Sequence, residues 1–196
     1  MTTMLTIKQR QTYFQYLGYY DGEITGKENS ALKAAYKKIQ DDYFTRDKDK
    51  DGKYGPDTEK LLVNVYRVKK YTKNFDFKSD KKLKCSCGGK YCTGFPTTLS
   101  TQLLKNLQSV RNKYGATTIT SGMRCEKYNN SLDGSSTSSR HMTGKALDID
   151  NAKTHTEKGR KEVMAYVKKL TGHRYTYCNL GGSHPNMGNS VHFDVK

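Results

Sequence analysis

What most constrains the folding of this chain is a pair of segments that make chemical sense only together. Ser139-Arg-His-Met-Thr-Gly-Lys-Ala-Leu-Asp148 holds an imidazole and a carboxylate, and Val191-His-Phe-Asp194, near the carboxyl end, adds a second imidazole. Zn²⁺ accepts nitrogen and carboxylate-oxygen ligands, and a catalytic zinc keeps three protein ligands with one position open for water. His141, Asp148 and His192 satisfy that count. A histidine and an aspartate seven positions apart occur by chance in many chains. Here the pair lies inside a longer pattern, S-x-H-x-x-G-x-A-x-D, answered later by an apolar-His-aromatic-Asp segment.

A third segment, Thr118-Ile-Thr-Ser-Gly-Met-Arg-Cys-Glu-Lys-Tyr-Asn-Asn130, precedes these two. In that order the three resemble the zinc D-alanyl-D-alanine carboxypeptidase and L-alanyl-D-glutamate endopeptidase family, whose fold is shared with the hedgehog signalling domain. The resemblance runs from about Phe75 to Lys196. It implies that His141, Asp148 and His192 are the zinc ligands, that Arg124 faces a substrate carboxylate or carbonyl, and that Ser139 contributes to substrate binding. Arginine suits such a role because its planar fork binds a carboxylate through two parallel hydrogen bonds. Relatives place an acid three residues before the last ligand, or a histidine two before it. This chain has Asn189 and Ser190 there, and neither takes a proton at neutral pH. Proton transfer then has three candidates: Asp194, His184 and, more weakly, Asp150. Asp194 has a second reading, that of orienting a ligand imidazole. His155 and His173 sit in polar, basic surroundings and read as surface residues.

The charge balance widens the list of partners before the motifs narrow it. The chain of 196 residues carries a formal charge of +16, which attracts polyanions: nucleic acids, anionic membranes or wall teichoic acids. No helix-turn-helix, zinc-finger or aromatic RNA-binding signature accompanies that charge, so no specific nucleic-acid partner is expected. Nowhere do 18 apolar residues run together, so membrane insertion is not expected either. Met1 to Arg10 lacks the basic start and sustained apolar run of a secretory signal. Phage endolysins resemble this combination, which implies synthesis in the cytoplasm and action on the bacterial wall after release.

The chain divides near residues 68 to 78, giving residues 1–70, a linker at 71–80 and a second domain at 81–196. The first part reads as three helices: Leu5 to Tyr20, Asn29 or Ser30 to Gln40, and a third opened by Gly52-Lys-Tyr-Gly-Pro-Asp-Thr-Glu59. Gln11 to Gly26 and Asp51 to Thr58 are similar to the signature of the three-helix peptidoglycan-binding module, departing from it at Lys27-Glu-Asn-Ser30. Such a module raises the effective concentration of an attached enzyme at an insoluble polymer. Asp47-Lys-Asp-Lys-Asp-Gly52 invites a calcium reading, but position 12 of the loop falls on Thr58 and Glu59 comes one too late, so a solvated loop is expected.

The second part reads as α+β: helices at Thr101 to Tyr114 and Glu157 to Leu170, a strand at Ala116 to Ser121 and a closing strand at Val191 to Val195. Alternation in the last strand sets His192 and Asp194 on one face, with Val191, Phe193 and Val195 on the other. The expected architecture is a hedgehog-like zinc peptidase domain, a small antiparallel sheet with flanking helices, behind a three-helix binding domain. Of five cysteines, Cys85, Cys87 and Cys92 cluster in sequence, while Cys125 and Cys178 lie downstream. C-x-C-x4-C lacks the paired C-x-x-C knuckles of a strong zinc site, so structural roles are expected, with disulfides open and one thiol left over. The implied activity is zinc-dependent hydrolysis of an amide bond in the peptidoglycan stem peptide, at L-Ala-D-Glu or D-Ala-D-Ala. A zinc-containing wall-binding protein that does not cut is the alternative.

Overall fold

Local chemistry sets where each amino-terminal helix starts and stops. The computed structural model describes residues 4–196, so Met1 to Thr3 of the Met1 to Arg10 segment lie outside the described residues. Helix α1 (Ile7–Leu17) begins inside the expected span because Thr6 caps it and shares a reciprocal capping box with Gln9; Gly18, at φ 80°, ends it in the left-handed region. Asn29 caps α2 (Ser30–Tyr43), which runs three residues past Gln40. Pro56 opens α3 (Pro56–Tyr71), where its missing N–H costs nothing. Phe14, Leu32, Tyr36, Ile39, Leu61 and Leu62 are buried between the three.

Two buried glutamines serve the two connecting loops in the same way. Gln11 accepts from Gly26 N–H and donates to the Lys27 carbonyl; Gln40 accepts from Gly52 N–H and donates to the Lys53 carbonyl. Both glycines hold left-handed φ angles, 77° and 70°, so each loop pivots on a Gly-Lys pair tied to a helix amide. The aspartates of the second loop are already engaged: Asp49 with Arg46, Asp47 with Lys50, and Asp51 with Gln40 and Lys53 N–H.

Of residues 71–80, expected as a linker, Tyr71 still belongs to α3, and 72–80 connect the helices to the rest of the chain with Phe75 and Phe77 buried. Asn64 on α3 donates to the Thr97 carbonyl and accepts from Leu99 N–H, and Arg67 donates to the Leu99 carbonyl. One hydrophobic core therefore runs from Phe14 to Val195.

The carboxyl-terminal part is α+β, as its sequence pattern implies. Helix α4 (Thr101–Tyr114) precedes strand β1 (Thr117–Ser121), the short α5 (Glu126–Asn130), β2 (Ala146–Asn151), α6 (Glu157–Val167), β3 (His173–Cys178) and β4 (Val191–Val195). The strands form one antiparallel sheet in the order β1-β2-β4-β3. Leu147, Ile149, Val191, Phe193 and Val195 are fully or almost fully buried with Leu103, Leu107, Val163 and Val167 of α4 and α6. That leaves the alternate residues of β2 and β4 for the opposite face. Helix α6 stops at Val167 rather than Leu170, where the chain turns through Gly172 at φ 71° into β3. The sequence reading does not anticipate β3, whose Arg174 and Tyr175 are exposed and break the apolar alternation.

Because the Gln40 amide satisfies buried backbone groups, Gln40→Ala is expected to lower unfolding free energy by about 1–3 kcal/mol. Urea denaturation measures this, and a loss below about 0.5 kcal/mol contradicts the structural role assigned to the amide.

Candidate metal centre

Register across the sheet assembles the site. Ser121 on β1 pairs with Asp148 on β2, Asp148 pairs with His192 on β4, and His192 pairs with Tyr177 on β3. One row thus crosses all four strands on the face away from α4 and α6. The adjacent row pairs Ala146, Asp194 and Tyr175. His141 joins from outside the sheet, on a single turn of 3₁₀ helix at Arg140–Thr143.

His141, Asp148 and His192 are all buried, and one ligand atom from each lies within 4.8 Å of the others. His192 Nδ1 sits 2.7 Å from Asp148 Oδ1, and the two imidazole centroids are 5.2 Å apart. His141 Nδ1 lies 2.8 Å from the Gly122 carbonyl oxygen, to which it donates, so the lone pair of His141 falls on Nε2. That Nε2 is buried, 3.4 Å from Asp148 Oδ1, and makes no hydrogen bond among the described residues. A buried acceptor without a donor costs free energy, and a cation at this point would relieve the cost. Two imidazole nitrogens and a carboxylate oxygen are a donor set that suits zinc.

Two glycines of the sequence pattern are fixed by close backbone approach. A Cβ on Gly144 would meet the Thr98 carbonyl oxygen at 2.2 Å, at a φ of 67° that already disfavours a side chain. A Cβ on Gly122 would meet the Lys82 and Leu83 carbonyl oxygens at 2.3 and 2.6 Å. Gly144 lets the His141 turn seat against Thr98, and Gly122 lets the anchoring carbonyl seat against the segment before it.

Opposing effects set the protonation states. Burial pushes the Asp148 carboxyl up, but the two imidazoles beside it, His141 and His192, outweigh it and hold it below the usual carboxylate range. Burial pulls His192 down, and Asp148 with Asp194 reverses that, leaving its pKa raised. Burial likewise raises the Asp194 carboxyl, and His192 followed by Arg174 brings it below the usual range.

The remaining sequence candidates fall in different places. A cleft of about 820 Å³ opens over the three residues, and Arg124, Ser139, His184 and Asp194 all line it. Arg124 is held by Ser121 Oγ, at 2.9 Å from Nη2 and 3.2 Å from Nε, and reaches within 3.4 Å of Asp148. Asp194 is buried with both oxygens engaged: Oδ1 accepts from Tyr175 N–H, and Oδ2 lies 3.0 Å from Arg174 and 3.6 Å from His192 Nε2. His184 is exposed on the loop before β4, its ring 4.8 Å from that of Tyr177. Asp150 accepts from Thr154 and lies 3.3 Å from His155 Nε2, and it does not line the cleft. Asn189 accepts from Arg160, and Ser190 shares a hydrogen bond with Thr120. His173, expected at the surface, is half-buried, and burial lowers its pKa.

Sequence reasoning misses Tyr177 and Arg174. The Tyr177 ring stacks on His192 at 4.5 Å, and burial raises its hydroxyl pKa. The signal that would reveal both is recognition of His173-Arg-Tyr-Thr-Tyr-Cys178 as a strand paired with β4.

Residues 75–192 match the sequence profile of the family described as Peptidase M15, a span covering more than half of the chain. No curated protein matches the chain. The chain belongs to the peptidase M15 family of zinc D-Ala-D-Ala carboxypeptidases and their relatives, and is a zinc metallopeptidase directed at peptidoglycan.

Proposed function

We propose that His141, Asp148 and His192 hold the zinc, and that the chain acts as an endolysin-like enzyme cutting an amide bond of the stem peptide. The observation that carries this reading is the buried, unpartnered Nε2 of His141 facing Asp148 and His192. Zinc held there supplies Lewis acidity toward a carbonyl oxygen and brings the pKa of water toward about 7.

The chain's own residues divide the remaining work. Arg124, fixed by Ser121, presents its guanidinium to the cleft and would bind a substrate carboxylate. Ser139, on the same cleft wall, offers a hydroxyl to the peptide. Asp194 orients His192 through Nε2 rather than moving protons, because Tyr175 N–H and Arg174 already occupy its oxygens. His184 carries the proton, since its exposed ring borders the cleft and lies 4.8 Å from that of Tyr177 beside His192.

Residues 1–70 would attach the enzyme to the wall polymer, and the +16 charge would add attraction to anionic wall components. Attachment favours an endopeptidase acting on intact wall, at L-Ala-D-Glu, over trimming of D-Ala-D-Ala precursors. The site of action would be the bacterial cell wall.

His184→Gln is expected to lower kcat by about 10²-fold or more with zinc content unchanged. Asp194→Asn is expected to weaken zinc binding by about 10–100-fold, with activity restored at saturating zinc. Failure of saturating zinc to rescue Asp194→Asn would instead make that carboxylate the proton carrier. Mass spectrometry of purified peptidoglycan digests tests the activity itself and names the bond. New peptide termini are expected with the native enzyme and not with chelator or His141→Ala. No cleavage by the zinc-loaded enzyme across several wall types would leave a wall-binding protein, the reading that Asn189 and Ser190 favour.

A further inference from the structure

The fold gathers four of the five cysteines at a place the peptidase chemistry does not use. The Sγ atoms of Cys85, Cys87, Cys92 and Cys125 all lie within 4.8 Å of one another. Cys178 stands apart, buried with its Sγ 3.2 Å from Met164 Sδ. An even set of four therefore forms from an odd total, and the thiol left over is the one on β3.

From this cluster we propose a second metal site, a Cys85-Cys87-Cys92-Cys125 tetrathiolate that binds a structural Zn²⁺. Tetrahedral zinc with Zn–S bonds of about 2.3 Å places its sulfurs about 3.8 Å apart. Cys87 and Cys92 are 3.5 Å apart, close to that edge length. The backbone also presents donors to sulfur: Cys125 N–H to Cys85 Sγ at 3.2 Å and Gly94 N–H to Cys92 Sγ at 3.4 Å. Such N–H···S bonds stabilise charge on thiolates. The loop closes because Cys85 N–H donates to the Gly94 carbonyl and Lys90 N–H to that of Cys87, with Gly94 at φ 97°.

The site would act as a clip. Its first three ligands lie before α4, and its fourth follows β1 directly after Arg124. The joined strands of chain already touch: Met123 N–H donates to the Leu83 carbonyl, and Gly122 packs against Lys82 and Leu83. A metal here would lock the segment whose Gly122 carbonyl orients His141 and whose Arg124 enters the cleft. This inference does not depend on the assignment of the first zinc, because the two donor sets share no residue.

The test is a metal and thiol count on the full-length protein purified under reducing conditions. Native mass spectrometry is expected to find two zinc ions per chain, one of which persists in His141→Ala. Cobalt loaded into His141→Ala is expected to show thiolate-to-metal charge-transfer absorption, which a histidine-carboxylate site does not give. Cys85→Ser with Cys125→Ser is expected to lose one zinc and that absorption, while Cys178→Ser keeps both metals. The cobalt measurement stands even if the double variant fails to fold. Absence of thiolate absorption in folded His141→Ala would overturn the proposal. So would a single reactive thiol in the denatured protein after that reducing purification, which would mean two disulfides.

Discussion

The antiparallel pairing of β2 with β4 is the constraint on which the rest of the molecule depends. It sets Asp148 directly beside His192, although 43 residues separate them in the chain. Side chains alternate with a period of two, so a slip of one residue in either strand would turn its polar group into the α4 and α6 core. Leu147, Ile149, Val191 and Phe193, all fully buried, hold the register against that slip. The apolar face of the sheet therefore positions the polar face, and packing energy sets the geometry of Asp148 and His192.

Burying His141, Asp148, His192 and Asp194 in a domain of this size runs against the general preference for apolar interiors. The charges are tolerated because they neutralise one another and find further partners in Arg124 and Arg174. His141 Nε2 is the exception, a buried ring nitrogen without a hydrogen bond among the described residues. Conflict between local preference and tertiary placement is expected where a site performs chemistry rather than stabilises the fold. The Gln11 and Gln40 loops show the contrasting case, in which buried polar groups are satisfied and serve architecture.

Much of this was legible in the chain where local signals were strong. Thr101–Tyr114 and Val191–Val195 carry clean periodicities, and their observed limits agree with them. The convergence of His141, Asp148 and His192 could be read from motif order, although no single spacing demanded it. Strand β3 was hidden because solvent-facing Arg174 and Tyr175 mask its alternation, and with it went the stacking of Tyr177 on His192. The cysteine cluster was illegible for another reason. Its fourth sulfur arrives from Cys125 through tertiary contact, so the C-x-C-x4-C spacing alone understates it. Asp194 shows the same limit: sequence placed it on the strand face of His192, and only the pairing with Tyr175 and Arg174 reveals that its oxygens are engaged.

The most direct measurement is a crystal structure of the zinc-loaded protein with anomalous diffraction recorded at the zinc absorption edge. A zinc peak bounded by His141 Nε2, the Asp148 carboxylate and a ring nitrogen of His192 is expected. An anomalous map with no peak between those three side chains, in crystals of protein that retains bound zinc, would contradict their assignment as its ligands.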